Sequence, residues 1–239
     1  LKNHHDFEII VLTMSRAASL QRLLYSIENT HFGTDIIKLS IKVDQSVNNT
    51  GVIDCAHNFS FSHGPVVISV AEENMGLRDS WLRAVTPGET GHVIIFEDDV
   101  EVSPEWYRWL TGAWDAYQHR SDIAGITLYR QTLIPRVPSQ TREIVNHHEP
   151  FLFAQVGSIG FSPHPRRWAA FLRWLHNSVD VDTFDFAVPN HVFTSWWRGG
   201  ERRGMWTQLC IYYTILRNLY TLHMNLPHNK TLASDLREQ

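Results

Sequence analysis

Three consecutive acids, Glu97-Asp98-Asp99, directly follow a run of large apolar residues, His92-Val93-Ile94-Ile95-Phe96. Carboxylates set against a buried strand are costly to desolvate unless a cation or hydrogen-bond donors meet them. Side chains alternate in an extended chain, so Glu97 and Asp99 share one side and Asp98 takes the other. Such acids can ligate a hard divalent ion, Mn2+ or Mg2+, which prefers oxygen and completes its shell from water and substrate phosphates. The plainer reading is a strand leaving the core just before a helix. Direct abutment on the apolar run favours the ligand role. A second acid pair, Asp180-Val181-Asp182, has similar spacing but no apolar strand in front of it, and ranks second as a metal site.

The elements that must carry these acids follow from apolar periodicity. Residues 7–13 (FEIIVLT) read as a short strand covered on both faces. Leu20, Leu23, Leu24 and Ile27 recur at helical spacing within 16–29. Further strands are expected over 36–43, 65–71, 92–96 and 123–129, with a short helix over 77–84. Another helix runs to about Tyr117, its start marked by Ser103 as N-cap, Pro104 at the first helical position and Glu105 near the positive end. This alternation implies an α/β fold, a mostly parallel sheet flanked by helices.

After residue 130 the pattern loosens. Residues 130–150 read as a long loop or hairpin, 151–161 as an aromatic strand-like piece, 166–176 as a helix and 180–185 as an acidic loop. A final long helix begins at about Trp206. We read 1–239 as a single domain, with a ligand-binding half (1–130) and a more irregular half (131–239).

Composition narrows the function. At 239 residues, 43% apolar and 19% charged, the chain can build one packed core and is not a disordered segment. A net charge of −4 supplies no field for nucleic acid. Two cysteines make no disulfide scaffold. The segment 205–222 contains Gln208, Arg217 and Asn218, which argues for a buried globular helix and against a transmembrane segment. Asn48-Asn49-Thr50, Asn58-Phe59-Ser60 and Asn229-Lys230-Thr231 are N-glycan acceptor sequences, which suggest a Golgi or ER lumen, with a cytoplasmic setting as the alternative. Nine tryptophans can stack on sugars or fill a core, and their positions in helices favour the core. Neither GxGxxG nor GxxxxGK[ST] is present, so phosphates must be held in another way. In open parallel sheets the ligand lies beyond the strands' carboxyl ends, which here places Thr13-Met14-Ser15-Arg16, Asp44, Glu72–Leu77 and Glu97–Asp99 around it.

The strand end Thr13-Met14-Ser15-Arg16, the turn Glu73-Asn74-Met75-Gly76-Leu77 and the segment HVIIFEDDVEVSPEWY together resemble the nucleotide-diphospho-sugar transferases of the GT-A fold. Residues 96–107 are most similar to the N-acetylglucosaminyltransferase I group, glycosyltransferase family 13. The resemblance covers 7–130 and fades beyond. It implies Asp99 as the Mn2+ (or Mg2+) ligand, with Glu97 and Asp98 near the ribose and sugar. Arg16 and the backbone of Thr13 to Ser15 then meet the nucleotide and pyrophosphate, Asp44 meets the base, and Asn74 and Gly76 belong to the donor-binding set. The expected activity is metal-dependent transfer of a sugar from a UDP- or GDP-sugar to a glycan or glycoconjugate hydroxyl, with inversion.

Inversion needs a general base. Relatives carry it in a Trp-Asp-Asp-Trp-like segment, and the nearest match here, Thr194-Ser195-Trp196-Trp197-Arg198, has Ser195 where an Asp is expected. The candidates are therefore Asp185, then Asp182, with Glu201 third. Retention of configuration stays open, and so does a carbohydrate-binding module without catalysis. A nucleotidyltransferase is a third class, disfavoured because no Gly-rich basic loop follows the first strand. Gly157-Ser158-Ile159-Gly160-Phe161 resembles an acceptor-side segment and equally suits a tight turn.

Overall fold

The computed structural model describes residues 7–85, 91–131, 133–134, 137–141, 144–189, 191, 193–194, 197–201 and 205–235. The apolar runs become strands β1 (Phe7–Thr13), β2 (Ile37–Val43), β3 (Val66–Val70) and β4 (His92–Glu97), which pair in parallel in the order β3-β2-β1-β4. Between them lie helices α1 (Ala17–Glu28), α2 (Thr50–Asn58) and α3 (Gly76–Leu82). The chain continues through β5 (Val100–Val102), α4 (Trp106–Tyr117), β6 (Ile123–Thr127) and the hairpin β7 (Leu133–Ile134) with β8 (Val137–Thr141). Then come β9 (Phe151–Phe153), β10 (Phe161–Pro163), α5 (Pro165–Ser178), a π-helical turn at Trp197–Glu201, α6 (Trp206–Leu216), β11 (Tyr220–His223) and β12 (Ala233–Asp235).

The full sheet has eight strands in the order β3-β2-β1-β4-β10-β6-β11-β9. β10 runs antiparallel to both β4 and β6, and β9 is antiparallel to β11. Alternation along β1 divides the core between two faces. Phe7, Ile9 and Val11 pack with Leu20, Leu23 and Ile27 of α1, Val52 of α2 and Trp106 and Leu110 of α4. Ile10 and Leu12 face the other way, toward Trp81 of α3, Trp168 and Phe171 of α5 and Trp206 and Leu209 of α6. Each such aliphatic side chain taken fully from water contributes about 1.5–3 kcal/mol. The central strand therefore anchors both layers.

The structure departs from the sequence reading in local ways. Helix α2 was not expected: it buries only Val52 and Ala56, a stripe too narrow to register as a period. Ser103 does not cap α4. Residues 103–105 form a turn, Glu105 takes the cap position, and the Ser103 Oγ accepts weakly from the Glu105 N–H at 3.4 Å. The strand-like stretch 151–161 divides into β9 and β10, which are not neighbours in the sheet. The last long helix stops at Leu216, and its expected tail is strand β11. Among the described residues no helix is long and apolar enough to cross a membrane. The tryptophans are mostly core, with Trp81, Trp106, Trp114, Trp168, Trp197 and Trp206 all buried, while Trp196 lies outside the described residues.

Candidate functional site

The carboxyl ends of β1 to β4 meet at one edge, because these strands are parallel. Asp98 leaves β4 there, and its backbone N–H donates to Leu12 O at the end of β1 at 3.1 Å. Asp98 is 2% exposed. Its carboxylate accepts from the Thr13 hydroxyl at 2.6 Å and from the Arg16 guanidinium. Arg16 also reaches Asp99, Nη1 to Oδ2 at 3.0 Å. Four of the residues expected at the donor site, Thr13, Arg16, Asp98 and Asp99, thus form one network, and Ser15 lies half-buried in the same loop. Burial pushes the Asp98 carboxyl upward, and the Thr13 hydroxyl and Arg16 oppose that shift.

Glu97 points to the opposite layer and accepts from the Trp81 indole N–H at 3.0 Å. Burial raises its carboxyl to about 7, Asp99 adds to the rise, the Trp81 N–H opposes it and Asp98 adds further. Trp81 in turn stacks on Trp206 of α6, with centroids 4.1 Å apart and planes 19° apart. Trp81 was not singled out from the sequence, since no local pattern links it to Glu97.

Asp44, Asn74 and Gly76, also expected at the donor site, join a second network on the loops after β2 and β3. Asp44, 6% exposed, accepts from the backbone N–H groups of Gln45 at 2.8 Å, Met75 at 2.8 Å and Gly76 at 2.9 Å. Gly76 holds φ +73°, a left-handed conformation that favours glycine. Asn74 Nδ2 donates to Gln45 O at 2.7 Å and approaches Met14 Sδ at 3.6 Å, which joins this network to the loop after β1. A cleft of about 700 Å3 opens beside these loops, lined by Leu12, Lys42, Asp44, Glu73, Met75 and Arg83 among others.

The candidate bases sit elsewhere. Asp182 pairs with Arg78 of α3 at 3.0 Å, and Asp185 pairs with Arg198 at 3.0 Å; both carboxylates are exposed. The Asp-x-Asp spacing at 180–182 has a local explanation: Asp180 Oδ1 accepts from the Asp182 backbone N–H at 3.0 Å, closing a turn. Glu201 ends the π-helical turn, and its side chain, like Ser195, lies outside the described residues. Gly157 is required by packing, because a Cβ there would lie 2.5 Å from Thr127 Oγ1.

Among the described residues no three His, Cys, Asp or Glu side chains gather to hold a metal ion. Thr13 and Arg16 take up the Asp98 carboxylate, and Trp81 takes one Glu97 oxygen. Asp99, 29% exposed, meets Arg16 through Oδ2. That donor set suits a cation held through one carboxylate and substrate phosphates, the mode in which Mg2+ retains part of its water shell. It does not suit an all-protein cage.

No protein-family profile matches the sequence, and no curated protein does. Solved structures do match. S. aureus TarS, residues 1–349, superposes with TM-score 0.55 at 13% identity over 95% of this chain and 59% of that one. Mouse xyloside xylosyltransferase 1 gives 0.50 at 10% identity, covering 90% and 83%. The galactosyltransferase LgtC gives 0.50 at 12% identity, covering 90% and 72%. The fold is GT-A. At these identities the likeness concerns the fold, which matches the α/β architecture expected from the sequence. The chain spans 59% of the TarS segment's length.

Proposed function

We propose that this chain is a glycosyltransferase that moves a sugar from a nucleoside-diphosphate donor to a hydroxyl of a glycan or glycoconjugate. The observation that carries the reading is the Arg16–Asp98–Asp99 network at the carboxyl edge of a GT-A sheet, where such folds take their ligands. TarS has been solved with UDP-GlcNAc, which supports a UDP-sugar donor without deciding between UDP and GDP. Within the superfamily, the Glu97–Asp99 segment and its flanks favour kinship with glycosyltransferase family 13.

In this reading Arg16 holds its guanidinium over the donor diphosphate, oriented by the two aspartates it already meets. Asp99 offers a carboxylate to Mn2+ or Mg2+. When bound, that cation supplies Lewis-acid neutralisation of the departing diphosphate. Thr13 fixes Asp98, and Asp98 fixes Arg16. Glu97 is held by the Trp81 indole N–H. For an inverting transfer, Asp185 is our first candidate to accept the acceptor hydroxyl's proton, ahead of Asp182 and Glu201.

The test is binding and transfer over a panel of UDP- and GDP-sugars with Mn2+, read by thermal shift and product formation. Asp99→Ala is expected to abolish metal-dependent donor binding while leaving the fold intact. Undiminished donor affinity in that variant sinks the metal assignment. Donor binding without transfer or hydrolysis points instead to a non-catalytic carbohydrate-binding protein.

A further inference from the structure

We infer that a cleft along α4, apart from the donor edge, is a second binding site and takes a neutral oligosaccharide of disaccharide length. None of the residues that line it lines the cleft beside Asp44. Trp109, Tyr117 and Leu226 at this cleft pack against the core layer of α1 and α4. Val181 and Phe184, neighbours of the candidate bases, pack against the opposite layer. Binding here needs no transfer, so the inference goes beyond the proposed reaction.

α4 buries Trp106, Tyr107, Leu110, Ala113 and Trp114 against the sheet. A second stripe on the same helix, Glu105, Arg108, Trp109, Gly112, Ala116 and Tyr117, recurs at three- and four-residue spacing and lines the cleft. The half-buried Trp109 and Tyr117 are eight residues apart, roughly 12 Å along the axis. Between them the helix offers only small side chains, so two aromatic groups flank a low floor. The cleft encloses about 680 Å3, a size that suits a small-molecule ligand.

Gly112 explains why that floor is low. Glycine weakens a helix interior more than any residue except proline. A Cβ at 112 meets nothing within 4 Å, and the backbone there is not left-handed, so neither packing nor conformation calls for glycine. Its one structural effect is to keep the space between Trp109 and Tyr117 open.

The facing wall comes from the loops that carry Glu149 and Leu226. Asn225 donates to Asn146, and Asn146 Nδ2 donates to Glu149 O at 2.7 Å, which ties the two loops together. Each loop holds two consecutive non-glycine residues in the left-handed region: His147 at φ +57° and His148 at +65°, His228 at +58° and Asn229 at +56°. Such conformations are costly and gather at ligand clamps.

The chemistry of the lining selects the ligand. Aromatic faces suit the C–H faces of sugar rings. Arg108 donates, while Glu149 and Glu105, which meets His31 through one oxygen, accept, and a sugar hydroxyl can answer both. Two acids beside one arginine disfavour an anion. A partner helix would need an unbroken apolar row, which Glu105 and Arg108 interrupt.

The native chain is titrated by calorimetry with chitotriose, cellotriose, maltotriose and lactose without nucleotide, and separately with UDP and GDP plus Mn2+. Gly112→Leu fills the floor while favouring the helix. It is expected to weaken oligosaccharide binding at least tenfold, with an undiminished melting temperature and nucleotide affinity within about twofold of native. Trp109→Ala is expected to weaken oligosaccharide binding to the same extent, and if it does not fold, Gly112→Leu decides alone. Native oligosaccharide affinity in Gly112→Leu overturns the inference. So does a native chain that binds none of the four sugars. Sedimentation is run alongside, and a native dimer that Gly112→Leu breaks assigns the cleft to a second copy and overturns the inference too. A chain that binds oligosaccharide at this cleft but neither nucleotide upholds the inference and overturns the donor reading.

Discussion

Trp81 donates its indole N–H to Glu97 at 3.0 Å while its ring lies flat on Trp206 of α6. One side chain thus links an acid at the sheet's carboxyl edge to the layer formed by the second half of the chain. Its hydrogen bond opposes the burial that raises the Glu97 carboxyl.

Trp81→Phe keeps an aromatic ring against Trp206 and removes the donor. A buried acceptor left without its partner costs roughly 1–3 kcal/mol. Urea denaturation is expected to show that loss, together with weaker donor binding. Native stability in Trp81→Phe argues that the bond is not maintained in solution.

Stability should peak near pH 6.5. Burial lowers the His191 and His223 imidazoles to about 4, and His164 is shifted down as well. Their unfolded forms take up protons first, so this stabilisation is full above the usual histidine value near 6.5 and is lost as pH falls toward 4. Glu97 acts in the opposite sense: its carboxyl titrates at about 7 in the fold against 4.5 ordinarily, so its contribution is lost as pH rises through that window. Below pH 6.5 the three histidines oppose the raised carboxyls of Glu97 and Asp98, and among the described residues Glu97 is the group whose shift carries on just above it. Glu97→Gln is expected to abolish the fall between pH 6.5 and 7.5 in a denaturant series, and a fall that persists assigns it to another group.

Arg16→Lys replaces a fork that spans two aspartates with a point charge that meets one. Donor affinity is expected to drop at least tenfold, since the diphosphate loses its planar partner. The stability loss should stay near the lower end of about 1–3 kcal/mol, because Asp98 keeps Thr13 and Arg16 is partly in water. Calorimetric titration with UDP reads the first effect and chemical denaturation the second.

Among the acids considered as base, Asp185→Asn should lower turnover most at unchanged donor affinity, ahead of Asp182→Asn and Glu201→Gln. Opening the exposed Asp182–Arg78 pair should cost less than about 1 kcal/mol of stability. If all three variants turn over normally, an inverting scheme with one of these bases is wrong.

What was legible in the sequence follows from range. Glu97–Asp99 are adjacent in the chain and abut an apolar run, so their burial and their place at a strand end could be read directly. Arg16 and Asp98 are 82 residues apart, yet both follow parallel strands, and the rule for ligand sites in such sheets places them together. The bonds from the Met75 and Gly76 N–H groups to Asp44 were not legible, because a carboxylate that binds backbone leaves no partner residue type to recognise. The Trp81–Glu97 bond depends on how α3 rolls on the sheet, which periodicity does not fix. β9 and β10 are three residues each, and their neighbours are chosen by pairing and not by pattern.

β10 fills the gap between β4 and β6, two strands that precede it in the chain by a wide margin. As the polypeptide is synthesised, both flanking strands emerge before the one that joins them. Residues 1–130 consequently end in an unjoined β4 edge and an orphaned β6, with no route to completing the sheet alone. Assembly must wait for a long-range insertion, and β11 joins the far side of β6 only from later in the chain, so slow folding through an exposed edge is expected. A chain cut after residue 130 should therefore aggregate, although Arg16, Glu97, Asp98 and Asp99 are already present.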